Sequence, residues 1–193
     1  MTLAYVFWHT PGPGVVRGEY EAALQRFHDA LQAASPAGFL GSRVLRCQSV
    51  PWLTSPLARP LPTYEDWYFL TGSAALDALE EAAVTGRRQQ PHDAVARLAA
   101  TGTGGLYRLR RGDAAVVPRR AHWLAKPSGE AYEAFYRRFG EDPAEPFALW
   151  SRQMAIGPTP EFCLQGADTI PSPLLPYATL AVDPLWRMPD GAG

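Results

Sequence analysis

The sequence is poor in the residues that build covalent and metal frameworks. It holds two cysteines, four histidines and three methionines in 193 residues. No Cys-x-x-Cys pair and no Cys/His spacing of the zinc type occurs, which speaks against a structural metal site. Cys47 and Cys163 stand far apart in apolar, strand-like settings. They read as two buried thiols in a reducing compartment, and pairing them would need a geometry that sequence cannot supply. No apolar run approaches the roughly 18 residues of a membrane span. The start of the chain lacks the basic-then-apolar pattern of a secretory signal. Together these absences give the expectation of a cytoplasmic protein.

Charge of either sign is also lacking in excess. Eighteen Lys and Arg face 19 Asp and Glu, a net charge of -1. That excludes a general electrostatic attraction to nucleic acid or anionic membrane. The basic pairs Arg87-Arg88, Arg110-Arg111 and Arg119-Arg120 read as solvated loop or strand-end charges, with anion binding as the alternative. The expected partner is a small molecule, and the chain is expected to be a monomer or a homodimer. The sequence has no GxSxG, HExxH, Walker-type or GxGxxG motif. Gly102-Thr103-Gly104-Gly105 is rich in glycine. It precedes a strand and not a helix, so it is not a phosphate loop.

Hydrophobic residues make up 47%, enough for a core. Nineteen prolines and 17 glycines cluster at Pro11–Gly14, Pro51–Pro62, Gly157–Pro160 and Pro171–Pro176 and mark loops. The connection Pro51–Pro62, carrying Trp52, has the length of a lid or binding loop.

The chain reads outward from a pattern that occurs twice. Val6-Phe7-Trp8-His9-Thr10 leads through a Pro/Gly turn to Gly18-Glu19-Tyr20-Glu21-Ala22. Ala121-His122-Trp123-Leu124 leads through a short turn to Gly129-Glu130-Ala131-Tyr132-Glu133-Ala134. Each is a Trp-bearing strand, a breaker and a helix opening. Strands are expected at Leu3–Thr10, Phe39–Val50, Thr63–Thr71 and Gly104–Arg111. Helices are expected at Arg17–Ser35 and Ala74–Thr85, with a turn or two at Asp93–Ala100. Tyr20, Leu24, Phe27 and Leu31 form one apolar stripe on the first helix. Residues 1–113 thus read as one βαββαβ unit and residues 114–193 as a second, shortened one. In the second, strands at Arg120–Lys126, Phe147–Ile156, Glu161–Leu164 and Tyr177–Val182 accompany one helix at Gly129–Gly140. A Pro-interrupted segment replaces its second helix, and Trp186 is a candidate to pin the tail.

Two ferredoxin-like units of this order, with the Trp-turn-Gly-Glu repeat, resemble the dimeric α/β barrel superfamily. The resemblance implies an α+β fold in which the two halves form an intramolecular, pseudo-dimeric barrel. The superfamily includes small monooxygenases, isomerases and haem-handling proteins. The resemblance therefore admits an oxygenase or isomerase of aromatic or polyketide-like substrates. A non-catalytic binding protein and a structural protein with a filled barrel stay open. No cofactor follows from the residues themselves; haem enters only through the resemblance.

The polar residues that could carry chemistry are few. His9 closes the first strand and reads as a general base, or as a strand-end histidine bonded to backbone. Asp66 and Tyr68 share a strand face and could orient a substrate, or could face solvent. Arg46 and Arg152 fall mid-strand and could clamp a carboxylate, or could be paired internally. Trp8, Trp67 and Trp150 could line an aromatic cavity or fill a core. His28 reads as a surface residue of the first helix. His122 does not align with His9 in the repeat, which weakens a metal pair.

Overall fold

Strand β1 (Leu3–Pro11) carries apolar side chains on both faces. Ala4, Val6 and Trp8 pack one way, and Leu3, Tyr5 and Phe7 the other. A strand without a polar face needs cover on both sides, and the fold supplies it. The computed structural model describes residues 2–47, 50–53, 62–140, 146–155, 157 and 159–187.

The further strands are β2 (Phe39–Cys47), β3 (Thr63–Leu70), β4 (Ala99–Gly112), β5 (Arg120–Leu124), β6 (Ala148–Ala155), β7 (Phe162–Gln165) and β8 (Pro176–Arg187). They close into one barrel in the order β1-β3-β2-β8-β5-β7-β6-β4. Every neighbouring pair is antiparallel. The first four strands run β4-β1-β3-β2 and the last four run β8-β5-β7-β6, the same order in each set. The β2–β8 and β4–β6 pairs sew the two sets together, so the sheet has no open edge.

Helix α1 (Arg17–Ala33) buries Tyr20, Leu24, Phe27 and Leu31, the stripe expected from its spacing. With α2 (Ala74–Ala83) and α3 (Gly86–Leu98) it covers the outer face of β1 and β3. Helix α3 runs 13 residues, well beyond the turn or two expected. Its sequence hid it: Pro91 lies inside, and no residue of it is fully buried. Helix α4 (Tyr132–Arg137) is shorter than the expected Gly129–Gly140, because Gly129 and Gly140 take positive φ values of 77° and 65°. No helix follows β7. Ala167, Ile170 and Leu174 cover that outer face instead, against Phe135, Leu149 and Phe162.

Aromatic side chains crowd the barrel interior. Trp8, Trp67, Trp123, Trp150 and Tyr107 are all fully buried there, in one cluster with Leu45. Trp8 and Trp123 have ring centroids 5.2 Å apart, and Trp67 and Trp150 5.5 Å. Both cysteines are buried and free. Arg43 is buried against this core, its guanidinium donating to the carbonyls of Ala114 and Val116. Most of the Pro-rich connection expected as a lid, 54–61, lies outside the described residues, as does Ile156 at the expected end of β6. Among the described residues no helix is long and apolar enough to cross a membrane.

Candidate active site between the sheet and the helices

Side chains alternate across a strand, so the residues beside the interior indoles face outward. Tyr5, Phe7 and His9 of β1 and Asp66 and Tyr68 of β3 point toward α1–α3. They line a cleft of about 300 Å³ with Tyr20, Phe27, Leu79, Glu80 and His92. This is at the small end of ligand sites, room for one or two rings.

Asp66 is the centre of the polar part. Its Oδ2 lies 3.1 Å from His9 Nε2 and 3.5 Å from His28 Nε2, and it accepts the Tyr68 hydroxyl at 3.0 Å. His9 Nδ1 sits 2.6 Å from the Tyr20 hydroxyl, and His28 Nδ1 2.7 Å from Ser42 Oγ. The result is a buried chain, Tyr20–His9–Asp66–His28–Ser42, with Tyr68 as a branch. Asp66 Oδ1 is buried with no hydrogen-bond partner. Burial alone would raise the Asp66 carboxyl, but His9 and His28 override it and hold it well below the usual carboxylate range. Burial pushes the phenols of Tyr20 and Tyr68 upward, and the Asp66 charge adds to it.

The floor of the cleft depends on two glycines. His9 pairs with Gly102 and Phe7 with Gly104 across the β1–β4 ladder. A Cβ built on Gly102 would come within 2.3 Å of Phe7 Cζ, and one on Gly104 within 2.9 Å of the Tyr5 ring. The rings of Phe7 and Tyr5 therefore lie across the bare β4 backbone. The rings of Tyr68, Tyr5, Phe7, His9 and Tyr64 follow one another at interplanar angles of 23°, 27°, 25° and 14°. This accounts for the glycine-rich stretch: it makes room for aromatic rings.

The residues singled out from sequence divide into two sets. His9, Asp66 and Tyr68 come together in the cleft. Trp8, Trp67 and Trp150 lie on the far side of the sheet, inside the barrel, and none lines the cleft. Arg46 is on the outer surface, paired with Glu21 at 2.8 Å and with Asp183. Arg152 donates to the Thr159 carbonyl and also stands away from the cleft. His122 is held by Thr179 and the Ala167 carbonyl on the outer face of the second strand set, at 3.0 Å each.

His28 corrects the surface reading: it is fully buried. The signal was present, since position 28 follows Leu24 by one helical turn and precedes Leu31 by three residues. The rings of Tyr68 and Trp186 pack on it, at centroid distances of 5.3 and 5.2 Å. Trp186 donates to Asp29 at 2.8 Å and so fixes β8 on α1. Tyr20 belonged to the apolar stripe and gave no sign of its hydroxyl's role.

The cleft does not fit haem. An axial histidine needs a free ring nitrogen facing the iron. The Nδ1 atoms of His9 and His28 are hydrogen-bonded, and the two Nε2 atoms, though they make no hydrogen bond, both lie against one oxygen of the Asp66 carboxylate. Among the described residues no group of three His, Cys, Asp or Glu is arranged to hold a metal ion.

No protein-family model matches the chain, and no curated protein does. Solved structures match its fold. A candidate monooxygenase from Fusobacterium nucleatum overlays with a TM-score of 0.63 at 9% identity, over 98% of this chain and 95% of that one. A candidate monooxygenase from Lactobacillus acidophilus gives 0.54 at 10% identity, over 97% and 96%. At fold level these are dimeric α/β barrel proteins, and this chain shares their architecture. Identities this low establish the fold alone.

Proposed function

We propose that the chain is an oxygenase of small hydroxylated aromatics that uses the cleft residues and no bound cofactor. The observation that carries the reading is the Tyr20–His9–Asp66 chain at one wall of an aromatic cleft. The ionised Asp66 favours the His9 tautomer with its proton on Nε2. Nδ1 is then the acceptor of the Tyr20 hydroxyl proton. The substrate hydroxyl gives its proton to Tyr20 Oη as Tyr20 passes its own to His9. Free tyrosinate is disfavoured by burial, so the two transfers occur together. Asp66 stabilises the imidazolium that forms, and Tyr68 and His28 hold the carboxylate in place.

The bound phenolate is electron-rich and supplies all four electrons that reduce dioxygen. One oxygen atom enters the ring beside the hydroxyl. The other leaves as water with the displaced ring hydrogen and the hydroxyl proton returned by His9. A phenol plus dioxygen gives an ortho-quinone plus water, and no external reductant is needed. The fold-level neighbours named as candidate monooxygenases support an oxygenase over an isomerase. We further infer that residues 1–113 and 114–193 descend from one doubled βαββαβ unit, supported by the shared strand order.

The test is oxygen uptake by the purified protein with a panel of one- and two-ring phenols. Tyr20→Phe and His9→Ala are each expected to lower the rate about 100-fold or more. Unchanged uptake in both variants would sink the relay. Ligand binding with no uptake for any phenol would favour a carrier.

A further inference from the structure

Among the described residues, those lining the cleft include two carboxylates, Asp66 and Glu80, two histidines, His9 and His92, and neither a lysine nor an arginine. The rest of its wall is largely aromatic, with Tyr5, Phe7, Tyr20, Phe27 and Tyr68. Asp66 is almost completely buried, and its Oδ1 has no partner within the protein. A buried acceptor left unmatched costs free energy. Both carboxylates line the same cleft, so a positive charge held in it is attracted by both. Aromatic faces add to the attraction, since their quadrupoles favour cations.

We propose that the cleft is a site for an organic cation: a small aromatic amine in its ammonium form, held in the cleft that Asp66 and Glu80 line. This rests on the reading of the cleft as the substrate site and makes the substrate a phenolic amine. Anionic aromatics are disfavoured by the same charges. A carboxylate clamp by arginine is not available, because Arg46 is committed to Glu21 and Asp183 and Arg152 to the Thr159 carbonyl.

Three probes with one ring separate charge from shape: tyramine, para-ethylphenol and para-hydroxyphenylacetate. Calorimetric titration of the full chain at low salt is expected to rank tyramine first, para-ethylphenol second and the acid last. The span from first to last should be about tenfold or more, and it should narrow as salt is raised. Glu80→Gln, a change at an exposed rim position, should cut the advantage of tyramine over para-ethylphenol about threefold. Equal or tighter binding of the acid would overturn the proposal. So would equal binding of tyramine and para-ethylphenol, or no binding of tyramine at millimolar concentration.

The outcome is separable from that of the oxygenase reading. Tyramine bound without oxygen uptake would remove the oxygenase and leave the cation site standing. Uptake driven by para-hydroxyphenylacetate, and lost in Tyr20→Phe, would do the reverse.

Discussion

Glu65 and Asp66 are adjacent carboxylates in β3 that face opposite sides of the sheet and take opposite charge behaviour. Asp66 faces the cleft, where two imidazoles and a phenol hold it ionised. Glu65 faces the barrel interior, where the indole N–H groups of Trp8 and Trp67 donate to it at 3.0 and 3.3 Å. Burial raises the Glu65 carboxyl to about 7, opposed by those donors and by Arg43. One step along the chain thus separates a carboxyl held below the usual range from one raised toward neutrality.

Stability should fall as pH rises through this range. The folded carboxyl at about 7 lies above its ordinary value near 4.5, so the folded state binds the proton more tightly than the unfolded one. The contribution is fully present below about pH 4.5 and is lost progressively toward pH 7, on the order of 3 kcal/mol. Glu65→Gln should flatten this dependence. Urea midpoints at pH 5 and pH 7 check it, and equal slopes for the two proteins would be the contrary result.

Asp66 has the opposite sign. Its carboxyl is held below the ordinary range, so its contribution is present above about pH 4 and is lost as pH falls below that value. Asp66→Ala removes the partner of two histidines and Tyr68 and should cost about 3–5 kcal/mol at pH 7. Asp66→Asn, which keeps shape and one acceptor, should cost less. Denaturation curves of the two variants side by side give the answer.

Gly102→Ala forces the Phe7 ring off the β4 backbone. Overpacking of this kind costs about 1–3 kcal/mol. A second change, Phe7→Leu, should recover most of that loss, because it removes the ring that the new methyl strikes. A double-mutant cycle on melting data measures the coupling. Additive effects would show that the two residues do not meet.

Trp123→Ala should be the most damaging single truncation in the barrel. Its indole touches those of Trp8, Trp52 and Trp67 and the Tyr107 ring. Removing a fully buried indole typically costs about 3–5 kcal/mol. The loss is read as a fall in the urea midpoint, and a change under 1 kcal/mol would contradict a packed interior.

The pattern of apolar residues by itself placed the strands, the α1 stripe and the split of Asp66 and Tyr68 from Trp67, though β4 starts before its expected Gly104 and β8 runs past its expected Val182. These follow from local periodicity, two residues per strand repeat and 3.6 per helical turn. Which side of the sheet would be hollow was not local. Four indoles drawn from β1, β3, β5 and β6 meet only when the barrel closes, and they crowd its interior. That leaves space on the other face, under α1–α3, where His28 and Tyr20 join residues from distant strands. Helix α3 was hidden by its polar, Pro-containing sequence; in the fold it packs against α1 and α2. A sequence records which way each side chain alternates, but the partner it meets is fixed by how the sheet curls.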